Sequence, residues 1–174
     1  MKYAALFGTG LLGLSLVGAT LSSEVPERSS NAEPLLTVDE EANKDLVRRY
    51  IDVVWNRKDY SRHGEFLSQD CTLNGDPLGG IKGANEWVQY WHNIFPDQLK
   101  TFLELLAEDD KVVAHFLEEG THSAELFGMP ATGKYFKYPV VAFFRIADGK
   151  IIEITAVADQ LEIYKELIQR ADSR

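Results

Sequence analysis

Two ionisable side chains in the second half of the sequence have the residue type and position for proton transfer. Asp159 follows the last predicted strand, and His122 lies at the end of an earlier one. A carboxyl group that faces an apolar cavity has a raised pKa and can act as a general acid or base, and a neutral imidazole can relay a proton near pH 7. A structural interpretation stays open for each: Asp159 as the N-cap of a final helix, and His122 as a loop-end residue held by a backbone group.

Side-chain alternation along the strands before these two residues selects candidate ligand contacts. Residues two apart on a strand share a face of the sheet. The residues that share a face with His122 or Asp159, and are therefore the predicted ligand contacts of the sheet, are Phe116, Glu118, Thr155 and Val157. The predicted helices add Trp55, Trp87 and Trp91, which either floor a pocket or form ordinary hydrophobic core.

The residues that other chemistries need are absent or wrongly spaced. Cys71 is the one cysteine of the sequence, so neither an internal disulfide nor a cysteine-based zinc site is possible. The sequence contains no His-x-x-x-His and no Gly-x-Ser-x-Gly motif, so a zinc protease or a hydrolase nucleophile is not indicated. We therefore expect no metal and no cofactor. His63 and His92 lie on predicted helices, where we expect solvated side chains.

Length and charge restrict the class of protein further. The chain has 174 residues, 45% of them hydrophobic, which suits one globular domain with a sizeable core. Acidic residues outnumber basic ones by 27 to 18, for a net charge of −9. Nucleic-acid binding needs clustered Lys and Arg against phosphate, so we expect no nucleic-acid partner.

The first 22 residues have the layout of a secretory signal peptide. Lys2 precedes an uncharged, mainly apolar stretch that ends in small residues. We predict a signal peptide at 1–22, a flexible linker at 23–36 and a secreted or periplasmic domain at 37–170, without a stable membrane span after cleavage. The alternative is an uncleaved N-terminal membrane anchor.

The periodicity of the domain changes from helical to strand-like near its middle. Apolar spacing predicts helices at 37–56, 59–67 and 84–95, and alternation predicts strands at 99–107, 111–123, 135–146 and 150–158, followed by a helix around 161–168. Asp109-Asp110 and Asp148-Gly149 predict tight hairpin turns. This order predicts an α+β fold in which N-terminal helices pack on a curved, mainly antiparallel sheet of four to six strands that encloses a pocket.

Several short blocks of this sequence resemble one known family. They are Phe95-Pro96-Asp97, Gly120-Thr121-His122, the segment Gly-Met-Pro-Ala-Thr-Gly-Lys at 128–134, the segment from Phe144 to Glu153, and Asp159. Together they resemble the SnoaL-like polyketide cyclase and ester cyclase family, which belongs to the nuclear transport factor two-like superfamily of cone-shaped α+β folds.

The resemblance implies a pocket for a small hydrophobic ligand and cofactor-free acid–base chemistry, such as an intramolecular aldol ring closure. It also implies a carboxylate near the end of the last strand that moves a proton, and the matching position here is Asp159. His122 is the candidate partner of that carboxylate.

Three functional hypotheses follow. The first is a cofactor-free cyclase or isomerase that acts on a small hydrophobic carbonyl compound. The second is an exported binding domain without catalysis, which the lack of histidine in the last two predicted strands favours. The third is an interaction module, because apolar residues on the outer sheet face, such as Val113 and Phe143, suit a homodimer.

Overall fold

The computed structural model describes residues 39–126, 128–159 and 165. The predicted signal peptide and linker lie outside these residues and stay predictions, as does most of the predicted closing helix. Within the described ranges, no helix is long and apolar enough to cross a membrane.

The first half of the domain is mainly helical, as its apolar spacing predicts. Asp39 caps the first helix, because its Oδ1 accepts a 3.0 Å hydrogen bond from the backbone N–H of Ala42. That helix continues into a π-helical segment, which carries Trp55 into the core. The helical elements are α1 (Glu40–Tyr50), the π-helical segment (Ile51–Asn56), a 3₁₀ turn (Tyr60–Arg62), α2 (His63–Phe66) and α3 (Gly80–Ile94).

Within the described part of the chain, six strands form one mixed sheet in the order β2-β1-β6-β5-β4-β3. They are β1 (Leu67–Leu73), β2 (Asp76–Pro77), β3 (Leu99–Glu108), β4 (Lys111–Thr121), β5 (Tyr135–Ala147) and β6 (Lys150–Ala158). Strands β3 to β6 form the predicted antiparallel meander, and Asp109 and Asp148 begin two of its turns with φ of 51°. The α+β prediction is confirmed. Strand β1 runs parallel to β6, so the sheet is mixed; its other pairings are antiparallel, in agreement with the predicted mainly antiparallel sheet.

The helices cover one face of this sheet and create the core. Helix α1 packs on β3 and β4, and α3 packs on β1. Alternate residues of β4, from Val112 to Gly120, are buried on this side. This inner face also forms one wall of the cavity described below.

A bulge in β3 changes which of its residues face the helices. The pairing of β3 with β4 shifts by one residue between Phe102 and Glu104. Leu105 lies half buried on the inner side, and simple alternation from it would turn Leu103 inward. The bulge instead leaves Leu103 exposed and buries Lys100.

A second bulge changes which residues of β6 face the helices. Its pairing with β5 shifts between Arg145 and Ile146, so that Ile151 and Ile154, three residues apart, are both buried. Beyond the bulge, the inner positions of β6 are Ile154, Ala156 and Ala158.

Helix α3 begins with a close backbone approach that requires glycine. A Cβ atom at Gly83 would lie 1.7 Å from the backbone oxygen of Leu78. The loop before α3 can therefore lie against the first turn of the helix only if this position has no side chain.

We expect Gly83→Ala to lower the free energy of unfolding by about 3 kcal/mol, since the added methyl group must displace backbone atoms. Urea unfolding measures the change. Gly64→Ala is the matched control, because the nearest atom to its added Cβ would be Ile81 Cγ1 at 4.0 Å. Equal stability of the two variants would contradict the close approach at Gly83.

Candidate active site

A cavity of about 170 Å³ lies between the helices and the inner face of the sheet. Its wall is largely aliphatic and aromatic. The lining residues from the helical elements include Tyr50, Ile51, Trp55, Trp87 and Trp91. Those from the sheet are Leu73, Lys100, Phe116, Glu118, Tyr138, Val140, Ala142, Phe144, Ile154, Ala156 and Ala158, and connecting segments add Asn74, Phe95, Gln98 and Leu126.

The three tryptophans chosen from the sequence all line this cavity. Trp55 is buried, whereas Trp87 and Trp91 are half buried. The rings of Trp55 and Trp87 meet edge to face, with centroids 5.1 Å apart and an interplanar angle of 86°. The cavity thus has an aromatic wall that suits a flat, apolar ligand.

Of the four predicted ligand contacts from the sheet, two line the cavity and two do not. Phe116 and Glu118 are buried lining residues of β4. Thr155 and Val157 lie on the opposite face of β6, where Val157 is 59% exposed. The predicted orientation of β6 is therefore corrected: the bulge after Ile151 turns the even-numbered residues toward the cavity.

A buried ion pair supplies the charge inside the cavity. Lys100 Nζ contacts Glu118 Oε1, and the two side chains are 5% and 11% exposed. Glu118 Oε2 also accepts a 3.1 Å hydrogen bond from the Gln98 amide and a 3.0 Å hydrogen bond from the Tyr138 hydroxyl. Among the described lining residues, Lys100 is the basic one and Glu118 the acidic one. Burial raises the pKa of Tyr138 to about 12, so its hydroxyl stays protonated.

The surroundings of Lys100 fix its position. The Asn56 side chain donates to the backbone oxygen of Lys100 and accepts from its N–H, at 3.0 and 2.9 Å. The ammonium nitrogen lies 4.0 Å from the ring centroid of Trp55 and 4.8 Å from that of Phe116, distances at which aromatic faces attract a cation. Burial nevertheless lowers the pKa of Lys100 well below its usual value.

His122 is fully buried beside the cavity but is not among its lining residues. Its Nδ1 accepts a 3.2 Å hydrogen bond from the Thr132 backbone N–H and lies 3.1 Å from the Thr132 hydroxyl. The rings of Phe95 and Phe136 pack against the imidazole. Burial lowers the pKa of His122. The structure therefore places this side chain where it holds the loop that contains Thr132.

Asp159 lies at the rim rather than inside the cavity. It follows Ala158, the last lining residue of β6, and its side chain is exposed. The residues that line the cavity do not include Asp159. The helix that it was expected to cap lies mostly outside the described residues.

Two other histidines correct a prediction. His63 and His92 are buried, not solvated. His92 Nδ1 lies 2.8 Å from the Tyr60 hydroxyl, and burial lowers its pKa to about 4. His63 contacts the Asn85 side chain, and burial lowers its pKa too. In each of these two rings, Nδ1 has a polar side-chain partner.

The structure also tests the neighbourhoods of Cys71 and of metal-ligating residues. Cys71 is buried, and burial raises the pKa of its thiol to about 11, so it is a structural residue rather than a nucleophile. Within the described ranges, no three His, Cys, Asp or Glu side chains lie close enough together to hold a metal ion.

Sequence reasoning missed three members of the polar cluster, namely Gln98, Lys100 and Tyr138. Glu118 was found because β4 alternates without interruption. Lys100 could have been found only from the pairing of β3 with β4, which sets it opposite Glu118. The sequence contains no local sign of the bulge that produces this pairing.

Residues 44–167 match the SnoaL-like polyketide cyclase family, and the chain belongs to that family. It is 30% identical over 133 residues to the aklanonic acid methyl ester cyclase DnrD of Streptomyces peucetius, which covers 71% of this chain and 88% of that protein.

Solved structures agree on the fold. A SnoaL-like polyketide cyclase from Agrobacterium tumefaciens superposes with a TM-score of 0.65 at 20% identity, over 72% of this chain and 97% of the other. TsrD from Streptomyces laurentii gives a TM-score of 0.67 at 23% identity, over 74% and 96% of the two chains. At these identities the likeness concerns the fold alone.

The buried ion pair predicts strong energetic coupling between its two residues. We expect Lys100→Met and Glu118→Gln each to lower the free energy of unfolding by about 3–5 kcal/mol, because each leaves its partner buried without a countercharge. The loss of unfolding free energy in the double variant should be much smaller than the sum of the two single losses. The double variant removes both charges and retains an acceptor for Tyr138. Urea unfolding at pH 7 measures this cycle.

The matched control is a surface pair. Arg49 and Asp45 lie 2.9 Å apart and are 56% and 58% exposed, so Arg49→Ala should cost about 1 kcal/mol or less. Additive losses in the Lys100 and Glu118 variants would contradict the coupling.

Proposed function

We propose that this protein is a cofactor-free acid–base enzyme that cyclises or isomerises a small hydrophobic carbonyl compound. The observation that carries the proposal is one carboxylate, Glu118, that faces a largely apolar cavity together with a protonated hydroxyl donor, Tyr138. Membership of the SnoaL-like polyketide cyclase family supports the same class of reaction.

The proposed step begins when a ligand carbonyl takes the hydrogen bond of the Tyr138 hydroxyl. Glu118 Oε2 then loses one of its two donors and can accept a proton from the carbon next to the carbonyl. The Tyr138 hydroxyl stabilises the enolate oxygen that forms, in a site where water does not compete. The enolate carbon then attacks a second carbonyl in the same molecule, and the oxygen of that carbonyl takes the proton from Glu118. In an isomerisation, Glu118 instead returns the proton to another carbon of the conjugated enolate.

Lys100 is a positioning residue in this step. Its ammonium group holds Glu118 through Oε1 and leaves Oε2 directed at Tyr138 and Gln98. An adjacent cation favours the ionised form of a carboxyl group, which a base requires.

The size of the cavity favours a small ligand. A cavity of about 150 Å³ in another protein is known to hold benzene, and the cavity here measures about 170 Å³. We therefore propose a substrate with a single ring, or a short chain, next to its reacting carbonyl. The substrate of the curated relative, as its name states, is aklanonic acid methyl ester.

Proton exchange on a simple ketone tests the proposal without knowledge of the substrate. We expect the protein to accelerate deuterium uptake at the α-carbon of phenylacetone in D₂O, followed by NMR. Glu118→Gln should reduce the rate by about 10²-fold, because the amide cannot take the proton. Asp159→Asn and His122→Gln are the matched variants, and both should retain the rate.

The other outcomes separate the candidate bases. Loss of exchange in Asp159→Asn with retention in Glu118→Gln would assign the base to the rim carboxylate, as the family resemblance first implied. No exchange by the wild-type protein would contradict the enzymatic proposal and favour a domain that only binds its ligand.

A second proposal concerns the outer face of the sheet, which carries several large exposed apolar residues. They include Leu103, Leu106, Phe143 and Val157. Clusters of this kind on a soluble domain indicate a protein contact, and we propose that a second copy of the chain covers them, as expected from the sequence.

Light scattering after size-exclusion chromatography tests this homodimer. We expect a dimer at micromolar concentration and a monomer for the double variant Leu106→Glu, Phe143→Glu, because burying two carboxylates in an apolar contact is unfavourable. Tyr90→Glu is the control, since Tyr90 is equally exposed but lies on α3. A wild-type monomer at all concentrations would contradict the proposal.

A further inference from the structure

The environment of Lys100 is unusual for a lysine. Its side chain is 5% exposed, lies against the faces of Trp55 and Phe116, and reaches the wall of the cavity. Most lysines keep their ammonium group in water. A lysine amine enclosed by apolar walls is the type of group that forms an imine with a carbonyl compound.

We propose that Lys100 Nζ is a carbonyl-reactive nucleophile that forms an imine with small aromatic aldehydes or ketones bound in the cavity. This inference goes beyond the proposed function and does not require it, since an imine can form whether or not Glu118 removes an α-proton.

The neighbours of Lys100 provide what imine formation needs. Glu118 Oε1 is in contact with Nζ and can take its proton, which leaves a lone pair for attack on the carbonyl carbon. Burial, which lowers the pKa of Lys100, increases the fraction of free amine. The Tyr138 hydroxyl also lines the cavity and is hydrogen-bonded to the same carboxylate, which links the two groups that carry protons.

The step balances without a cofactor or an oxidant. The amine nitrogen forms a bond to the carbonyl carbon, and the oxygen takes a proton to give a carbinolamine. The C–O bond then breaks, the oxygen leaves as water with a second proton, and a C=N bond to Lys100 remains. One carbonyl compound and one amine thus give one imine and one water. Glu118 takes the first proton and returns it.

The fixed position of Lys100 supports this role. Asn56 holds the backbone of Lys100 through two hydrogen bonds, so its nitrogen enters the cavity from a defined point. Lys82, by contrast, has a side chain that is 89% exposed and is not among the lining residues of the cavity.

Reductive trapping with benzaldehyde tests the inference. Benzaldehyde has one ring and no α-hydrogen, so the result does not depend on proton abstraction. The protein is incubated near pH 7 with equimolar benzaldehyde and sodium cyanoborohydride, which reduces the iminium form of an imine to a stable secondary amine. Intact-mass measurement should show one benzyl group per chain, and peptide mapping should locate it on Lys100.

Two variants sharpen the test. Lys82→Met should be labelled to the same extent as the wild-type protein. The labelling of Lys100→Met should fall to the background level that is measured with a denatured sample. Because Lys100→Met removes half of the ion pair and can unfold the chain, mapping of the wild-type adduct is the decisive measurement. Toluene, which occupies an apolar cavity but has no carbonyl group, should slow the labelling of Lys100.

Labelling spread over the surface lysines, or a single adduct at any lysine other than Lys100, would overturn the inference. So would the absence of an adduct under these conditions. None of these results bears on α-proton exchange by Glu118, so the failure of this inference and that of the proposed function can be told apart.

Discussion

The contact between Lys100 and Glu118 is the constraint on which the rest of the site depends. Two buried charges lose much of their hydration, and their mutual attraction offsets this loss only when the remaining polar atoms have partners. Here Gln98 and Tyr138 bind the carboxylate, and two aromatic faces enclose the ammonium group. A pair of apolar residues would stabilise the fold as well or better. We therefore interpret the ion pair as a functional feature of the cavity rather than as a source of fold stability.

The ion pair exists because a strand departs from regular alternation. Without the bulge near Leu103, the hairpin register would set Lys100 opposite Glu119 and turn it toward the solvent. The bulge in β6 acts in the complementary way, because it brings the small residues Ala156 and Ala158 inward and leaves space for a ligand. Bulges are common next to active sites, where they redirect side chains. In this domain the bulge in β3 turns Lys100 into the cavity, and the bulge in β6 leaves space for a ligand.

The fold was predictable because its signals are local. Apolar spacing gave the helices, and Asp109 and Asp148 marked turns where the structure has positive φ. The uninterrupted alternation of β4 also identified Phe116 and Glu118 as cavity residues. The bulges, and with them Lys100 and the orientation of Thr155, depend on pairing between strands and leave no mark in the sequence nearby. His63 and His92 were misjudged for a related reason: their burial depends on partners, Asn85 and Tyr60, that lie 22 and 32 residues away.

The parallel pairing of β1 with β6 has a consequence for how the domain assembles. Leu73 lies beside Ile154, and the Asn74 side chain accepts a 2.9 Å hydrogen bond from the N–H of Ala156. These partners are about eighty residues apart, and loops of that length close slowly. During synthesis on the ribosome, β1 therefore has no strand partner but the two-residue β2 until β6 emerges. The cavity is therefore complete only once β6 has paired with β1. A chain truncated before β6 would lack that wall of the cavity and could not enclose a ligand.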